Sequence, residues 1–240
     1  MKSEPINTTD QLAPMRRDGA GSPNAGLVLD RISITRGGRC IQPALSWDMG
    51  AGEITLLTGA NGVGKSSLLR IIAGRLRPAS GAVRRRVPVL YVGHQDGLSP
   101  ARSGRQNLAD WAGLNGYASD HARLDAAFLA MGAGYFCDMQ VRLLSRGQRR
   151  RLALARLMLG PANALWLLDE PNAGLDEDGN AALDRMIADH VGQATASTSQ
   201  GGGMVMAATH LPLASFLSPR FLALKSDRDL TVPHPQDKDA

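Results

Sequence analysis

Gly59-Ala-Asn-Gly-Val-Gly-Lys-Ser66 stands directly after the apolar run Ile54-Thr-Leu-Leu-Thr58. The octapeptide fits G-x-x-x-x-G-K-[ST] between a strand and a helix, the context in which that pattern carries meaning. Its glycines let the backbone N–H groups of Gly59, Ala60, Asn61, Gly62, Val63 and Gly64 converge on phosphate oxygens with no Cβ in the way. Lys65 adds a cation and Ser66 a hydroxyl suited to Mg2+. Ser67 completes the set in the first turn of a helix whose positive end faces the anion. A glycine-rich turn that binds nothing is the bland alternative, and the flanking strand and helix argue against it. The stretch reads as a nucleotide phosphate site.

Around it, strand and helix patterns alternate. Leu27–Ile34 alternates apolar and polar residues, Gly37-Gly38 marks a turn, and Cys40–Met49 follows. That pair is expected as antiparallel edge strands buried on one side. Ile54–Thr58 has the continuous apolar character of a buried parallel strand. Leu68, Leu69, Ile72 and Leu76 line one face of a helix over Lys65–Leu76, with Pro78 as its stop. Val87–Gly93 is a further strand. Helical periodicity then runs through Gly104–Ala112, Ala122–Met131 and Gly147–Leu159. Strand returns at Ala164–Leu168, helix at Gly179–His190, and strand at Met204–Ala208 and Phe221–Leu224. Gln193–Gly203 is a Ser/Thr/Gly-rich loop with no assignable chemistry. The expected architecture is α/β, with a mostly parallel sheet core and an antiparallel β edge subdomain. A helical subdomain is inserted over about residues 96–160.

The chain carries 27 basic against 22 acidic side chains, a net charge of +5. Arg84-Arg-Arg86 and Arg149-Arg-Arg151 concentrate the excess. No aromatics interleave with them for base stacking, so a nucleic-acid partner is not expected. A solvated charged face is the simpler reading of both clusters. No apolar run approaches the roughly 18 residues of a membrane span. Met1–Gly26 is rich in Pro, Ser, Gly and Asn and includes Glu4, Asp10 and Asp18. It reads as a flexible arm rather than a signal peptide, and Ser226–Ala240 as a polar tail, leaving one domain over residues 27–225. Cys40 and Cys137 are isolated, as expected of reduced thiols in the cytosol.

A second motif strengthens the first. Ala164-Leu-Trp-Leu-Leu-Asp169 is an apolar strand ending in a carboxylate, and Glu170 follows at once. In phosphate-loop proteins such an aspartate holds Mg2+ beside the loop hydroxyl. Glu170, on the other side of the strand end, is placed to polarise an attacking water. A capping or surface glutamate is the alternative, and immediate succession to Asp169 favours catalysis.

The third motif is Leu144-Ser-Arg-Gly-Gln148, at the start of a basic helix. Here the chain resembles the ATP-binding subunits of ABC transporters, whose signature L-S-G-G-Q lies upstream of the same carboxylate strand. Four of the five letters match, with Arg146 in place of the first glycine. The resemblance covers roughly Leu27–Leu224 and implies a P-loop NTPase of ABC type that binds ATP and Mg2+. It implies a self-dimer with two nucleotides sandwiched between copies, Ser145 and Gly147 of one copy facing the γ-phosphate held by the other. Arg146 either adds a cation there or points outward. By the same resemblance Gln95 contacts Mg2+ and connects to a membrane subunit, and Asp176 of Leu175-Asp176 crosses the dimer interface. His210, after Val205-Met-Ala-Ala-Thr209, contacts the γ-phosphate. The aromatic that usually stacks on adenine is missing. Arg36 is the substitute candidate, with Arg39 competing.

Within the family the nearest resemblance is to the cytochrome c biogenesis, or haem exporter, ATP-binding subunits. It rests on Tyr91-Val-Gly-His-Gln95, Ser145-Arg-Gly-Gln-Arg-Arg-Arg-Leu-Ala-Leu-Ala-Arg156 and Leu165-Trp-Leu-Leu-Asp-Glu-Pro171, together with Gly202–His210. The implied protein is an ATPase held peripherally on the cytoplasmic face of a bacterial inner membrane. Multispan membrane subunits of a cytochrome c maturation complex would be its partners. The segment between Pro78 and Val87 looks shorter than usual for the family. Two alternatives stand beside this reading: an ABC ATPase for another cargo, and a soluble ABC-type ATP switch. The second usually needs two tandem halves or a long coiled-coil insert, and this chain has neither.

Overall fold

Alternation of side chains across a two-sided sheet explains the centre of this protein. The computed structural model describes residues 25–192 and 202–225. The expected N-terminal arm up to residue 24, the polar tail and most of the 193–203 loop lie outside the described residues.

Five strands form one parallel sheet: β3 (Ile54–Thr58), β5 (Val89–Val92), β6 (Leu165–Asp169), β7 (Met204–Ala208) and β8 (Arg220–Ala223), in the order β5-β6-β7-β3-β8. β6 and β7 are buried at every position. In β6, Leu165 and Leu167 face one core while Trp166 and Leu168 face the other, and β7 divides in the same way. That is why these strands read as unbroken apolar runs. The first core lies under α1 (Lys65–Ile72) and an antiparallel sheet of β1 (Leu27–Arg36), β2 (Arg39–Met49) and β4 (Ser80–Arg85), ordered β2-β1-β4. The second lies under α5 (Glu177–Gly192) and the inserted helices α2 (Gly104–Leu114), α3 (His121–Ala130) and α4 (Arg146–Ala155).

Three expectations change. β1 is not the edge strand expected but the centre of its sheet: the Pro78–Val87 segment contains β4, which pairs with β1 on the side away from β2, from Leu27↔Arg85 to Ser33↔Ser80. The β4 side chains are almost all exposed, so no apolar alternation announces it. α1 stops at Ile72, before Leu76: Gly74 adopts φ 73° and donates to the Ile71 carbonyl, and Arg75 N–H returns to Arg70. A left-handed glycine therefore ends the helix before Pro78 is reached. The helix expected over Gly147–Leu159 tightens after Ala155 into a 3-10 turn at Arg156–Leu159.

The Arg149-Arg-Arg151 cluster differs from a solvated face, whereas Arg84, Arg85 and Arg86 are exposed. Arg85 donates to the carbonyls of Ile71 and Ile72, a cation at the negative end of α1. Arg84 faces Asp30, and Arg150 is 2% exposed.

Candidate active site

The phosphate loop joins the C-terminal end of β3 to α1, and Asp169 ends β6, with β7 between the two strands. Ligands of open parallel sheets bind outside these carboxyl ends. The loop's shape follows from its glycines. Gly59 has φ 132° and lies so near the Leu224 carbonyl that a Cβ would come within 2.7 Å of it. Gly64, at φ 110°, starts α1. Val63 is buried in the core and anchors the loop, while Ala60, Asn61 and Gly62 are exposed at its crest. Lys65 curls beneath them, its ammonium donating to the Gly59 carbonyl at 2.6 Å and the Ala60 carbonyl at 3.3 Å. Ser67 follows in the first turn, partly buried.

Ser66 Oγ donates to Asp169 Oδ1 at 2.8 Å. The other carboxylate oxygen, Oδ2, is buried and has no hydrogen-bond partner among the described residues. A buried carboxylate oxygen left unpaired is costly. A hydroxyl and a carboxylate presented together form a hard oxygen donor pair of the kind Mg2+ takes. The residues present therefore fit the cation.

Glu170 leaves the strand with φ 49°, and its N–H donates to Ala208 at the end of β7. This turns its carboxylate toward His210, Oε1 to Nε2 3.5 Å. Thr209 Oγ1 donates to Asn172 Oδ1, and Asn172 donates to the Pro212 carbonyl, so the His210 loop is tied to the turn after Glu170. Gln95 lies exposed just past β5. Arg36 and Arg39 face each other at the exposed tip of the β1–β2 hairpin.

The 144–148 segment is built as a helix start. Leu144 is buried, and Ser145 caps α4 through a reciprocal box: its Oγ accepts from Gln148 N–H at 3.2 Å, while Gln148 Oε1 accepts from Ser145 N–H at 2.9 Å. Gly147 packs on the Gly174 carbonyl, which a Cβ would meet at 2.6 Å, and the stem of Arg146 lies over Gly174. Asp176 caps α5 through Gly179 N–H and pairs with Arg151. That guanidinium is the main cause holding the Asp176 carboxyl below its usual range.

Arg150 is the residue the sequence reading missed. Its guanidinium donates to the carbonyls of Asp169 and Glu170, each at 2.8 Å, Pro171 at 3.1 Å and Gly93 at 2.7 Å, and faces Asp96 at 3.4 Å. Burial pulls its pKa down, with Asp96 opposing. Arg156, lowered to about 10 by burial, donates to the Asp96 carbonyl. A signal existed: Arg150, Leu154 and Leu157 fall at i, i+4 and i+7, and all three are buried.

Residues 43–173 match the ABC transporter family. A "Cytochrome c biogenesis ATP-binding export protein CcmA" of Rhodopseudomonas palustris (strain BisB5) is 42% identical over 192 residues, covering 76% of this chain and 90% of that protein. The protein of the same name in Gluconobacter oxydans is 40% identical, covering 80% and 84%. Among solved structures, cbiO1 of Clostridium perfringens, described as part of the ABC transporter complex cbiONQ, superposes with a TM-score of 0.65 at 22% identity. The match covers 84% of this chain and 85% of that one. At that identity the likeness speaks to fold.

Proposed function

The chain belongs to the ABC transporter family, and from that premise we propose that it is the ATP-hydrolysing subunit of a membrane complex for cytochrome c biogenesis. Membership of the family makes it an ATP-binding ATPase. The observation that carries the catalytic reading is the Ser66–Asp169 hydrogen bond beside the Glu170–His210 pair at the same end of the sheet.

In this reading the phosphate-loop amides and Lys65 hold the β- and γ-phosphates and stabilise the charge that develops on transfer. Ser66, Asp169 and Gln95 would hold Mg2+, which when bound would supply charge neutralisation on the phosphates. Glu170 orients the attacking water and accepts its proton. His210 holds the γ-phosphate and, through its contact with Glu170, keeps that carboxylate aimed. Ser145, Arg146, Gly147 and Gln148 of a second copy close the site over the phosphates, and Asp176 lies near the same dimer interface. Arg36 stacks on the base.

The relatives' shared name places cytochrome c biogenesis first among cargo assignments. Haem-handling multispan subunits in the inner membrane are the proposed partners, with this chain on the cytoplasmic face. No helix among the described residues is long and apolar enough to cross a membrane, which agrees with peripheral attachment. The test is to pull tagged protein from detergent-solubilised native membranes and identify its companions by mass spectrometry. Multispan proteins of cytochrome c maturation support the reading. A different permease would replace the cargo and leave the ATPase in place. Ribosomal or DNA-bound companions without a membrane protein would overturn it.

A further inference from the structure

Glu170 is one of four non-glycine residues with positive φ among the described residues, and the only one of those four at the carboxyl ends of β3 and β6. A left-handed backbone at a residue with a Cβ is unfavourable and persists only where its surroundings over-determine it. Two groups hold this one. The Glu170 N–H donates to Ala208. On the carbonyl side, the Arg150 fork takes the oxygens of Asp169, Glu170 and Pro171 together. Those are the residue that turns and its two neighbours. The remaining Arg150 nitrogen holds Gly93, two residues before Gln95, and Asp96, one after it.

We infer that Arg150 is a positioning residue for ATP hydrolysis: its guanidinium holds the Glu170 backbone in the left-handed turn and so sets the aim of the Glu170 carboxylate. The inference rests on the catalytic reading of Glu170 given above. The planar five-donor fork is what the site uses, because the carbonyls it serves diverge. A lysine ammonium presents its donors from one point and cannot span them. Arg150 touches no reacting atom. It acts through Glu170, and a misplacement of that carboxylate by about 1 Å is enough to cost about a hundredfold in rate.

The experiment compares Arg150→Lys and Arg150→Gln, each alone and combined with Glu170→Gln, in the full chain within its solubilised membrane complex. The readouts are kcat, KM for ATP, and ATP affinity by equilibrium binding. Expected are ATP affinity and KM within about twofold of the unmodified protein and kcat lower by about ten- to a hundredfold. The residual turnover of Glu170→Gln should fall no further when Arg150 is also changed. Unchanged kcat in both single variants would overturn the inference. So would a full additional loss in the Glu170→Gln background, since Arg150 would then act elsewhere. Loss of ATP affinity in step with kcat in both variants would make Arg150 a structural residue only. Near-normal turnover in Glu170→Gln alone would remove the catalytic assignment, and with it this inference, a result distinct from the other three.

Discussion

The Ser66 hydroxyl donates to Asp169 Oδ1 at 2.8 Å, joining two residues 103 positions apart in sequence. The second oxygen of that carboxylate is buried without a hydrogen-bond partner among the described residues. The contact sets a hydroxyl and a carboxylate side by side as oxygen donors.

Asp169→Asn replaces the unpartnered oxygen or its neighbour with an amide N–H₂, which a cation repels. Turnover should fall by about a hundredfold or more. The gain in ATP affinity that Mg2+ confers on the unmodified protein should disappear. Titrating labelled ATP with and without Mg2+ checks this, and an undiminished Mg2+ effect would exclude Asp169 as a ligand.

Glu170→Gln keeps shape and hydrogen-bonding reach but removes the carboxylate proposed as the base. The variant should bind ATP normally, form a stable nucleotide-bound dimer on gel filtration, and turn over about a hundredfold or more slowly. A monomeric, active variant would contradict both the role and the sandwich.

Gly147 lies against the Gly174 carbonyl, with room for no side chain. Gly147→Ala must push the start of α4 away from the turn that follows Glu170, at about 1–3 kcal/mol. Thermal unfolding should show a fall of several degrees, about 2–4 °C per kcal/mol at this chain length. An unchanged Tm would mean the loop yields freely.

His190 stacks on Trp166 at 3.6 Å between ring centroids and bonds the Ala164 carbonyl through Nε2. Burial lowers its pKa to about 4 from 6.5. Well above pH 6.5 the ring is neutral in both folded and unfolded chains, so it contributes nothing to pH dependence there. As the pH falls from 6.5 toward 4, the unfolded chain takes up a proton that the folded one resists, and stability drops by up to roughly 3 kcal/mol. His190→Gln should flatten the Tm profile across that window. Parallel profiles for the two proteins would show that other groups set the acid response.

Local chemistry was legible where it is strong. Glycines that must take positive φ, an apolar run ending in Asp169, and Ser145 three residues before Gln148 each specify their own geometry from neighbours in sequence. The three central strands β3, β6 and β7 were found for the same reason, since burial on both faces leaves a continuous apolar signal. β4 escaped because it is held by backbone pairing to β1 while its side chains stay exposed. The true end of α1 was obscured because Leu76 continues the helical spacing past Gly74.

By itself, then, the sequence determined the glycine-rich loop, the sheet that carries it, the adjacent carboxylates Asp169 and Glu170 and the family to which they belong. Tertiary structure alone decided which groups meet. That Ser66 reaches Asp169, that Glu170 turns left-handed toward His210, and that one arginine of an apparently solvated triplet is buried against four backbone carbonyls all depend on long-range packing. The physical reason is that a charged side chain bears the same formula in water and in a core. Only the carbonyls brought to it by distant strands make its burial tolerable, and no local pattern records where those will be.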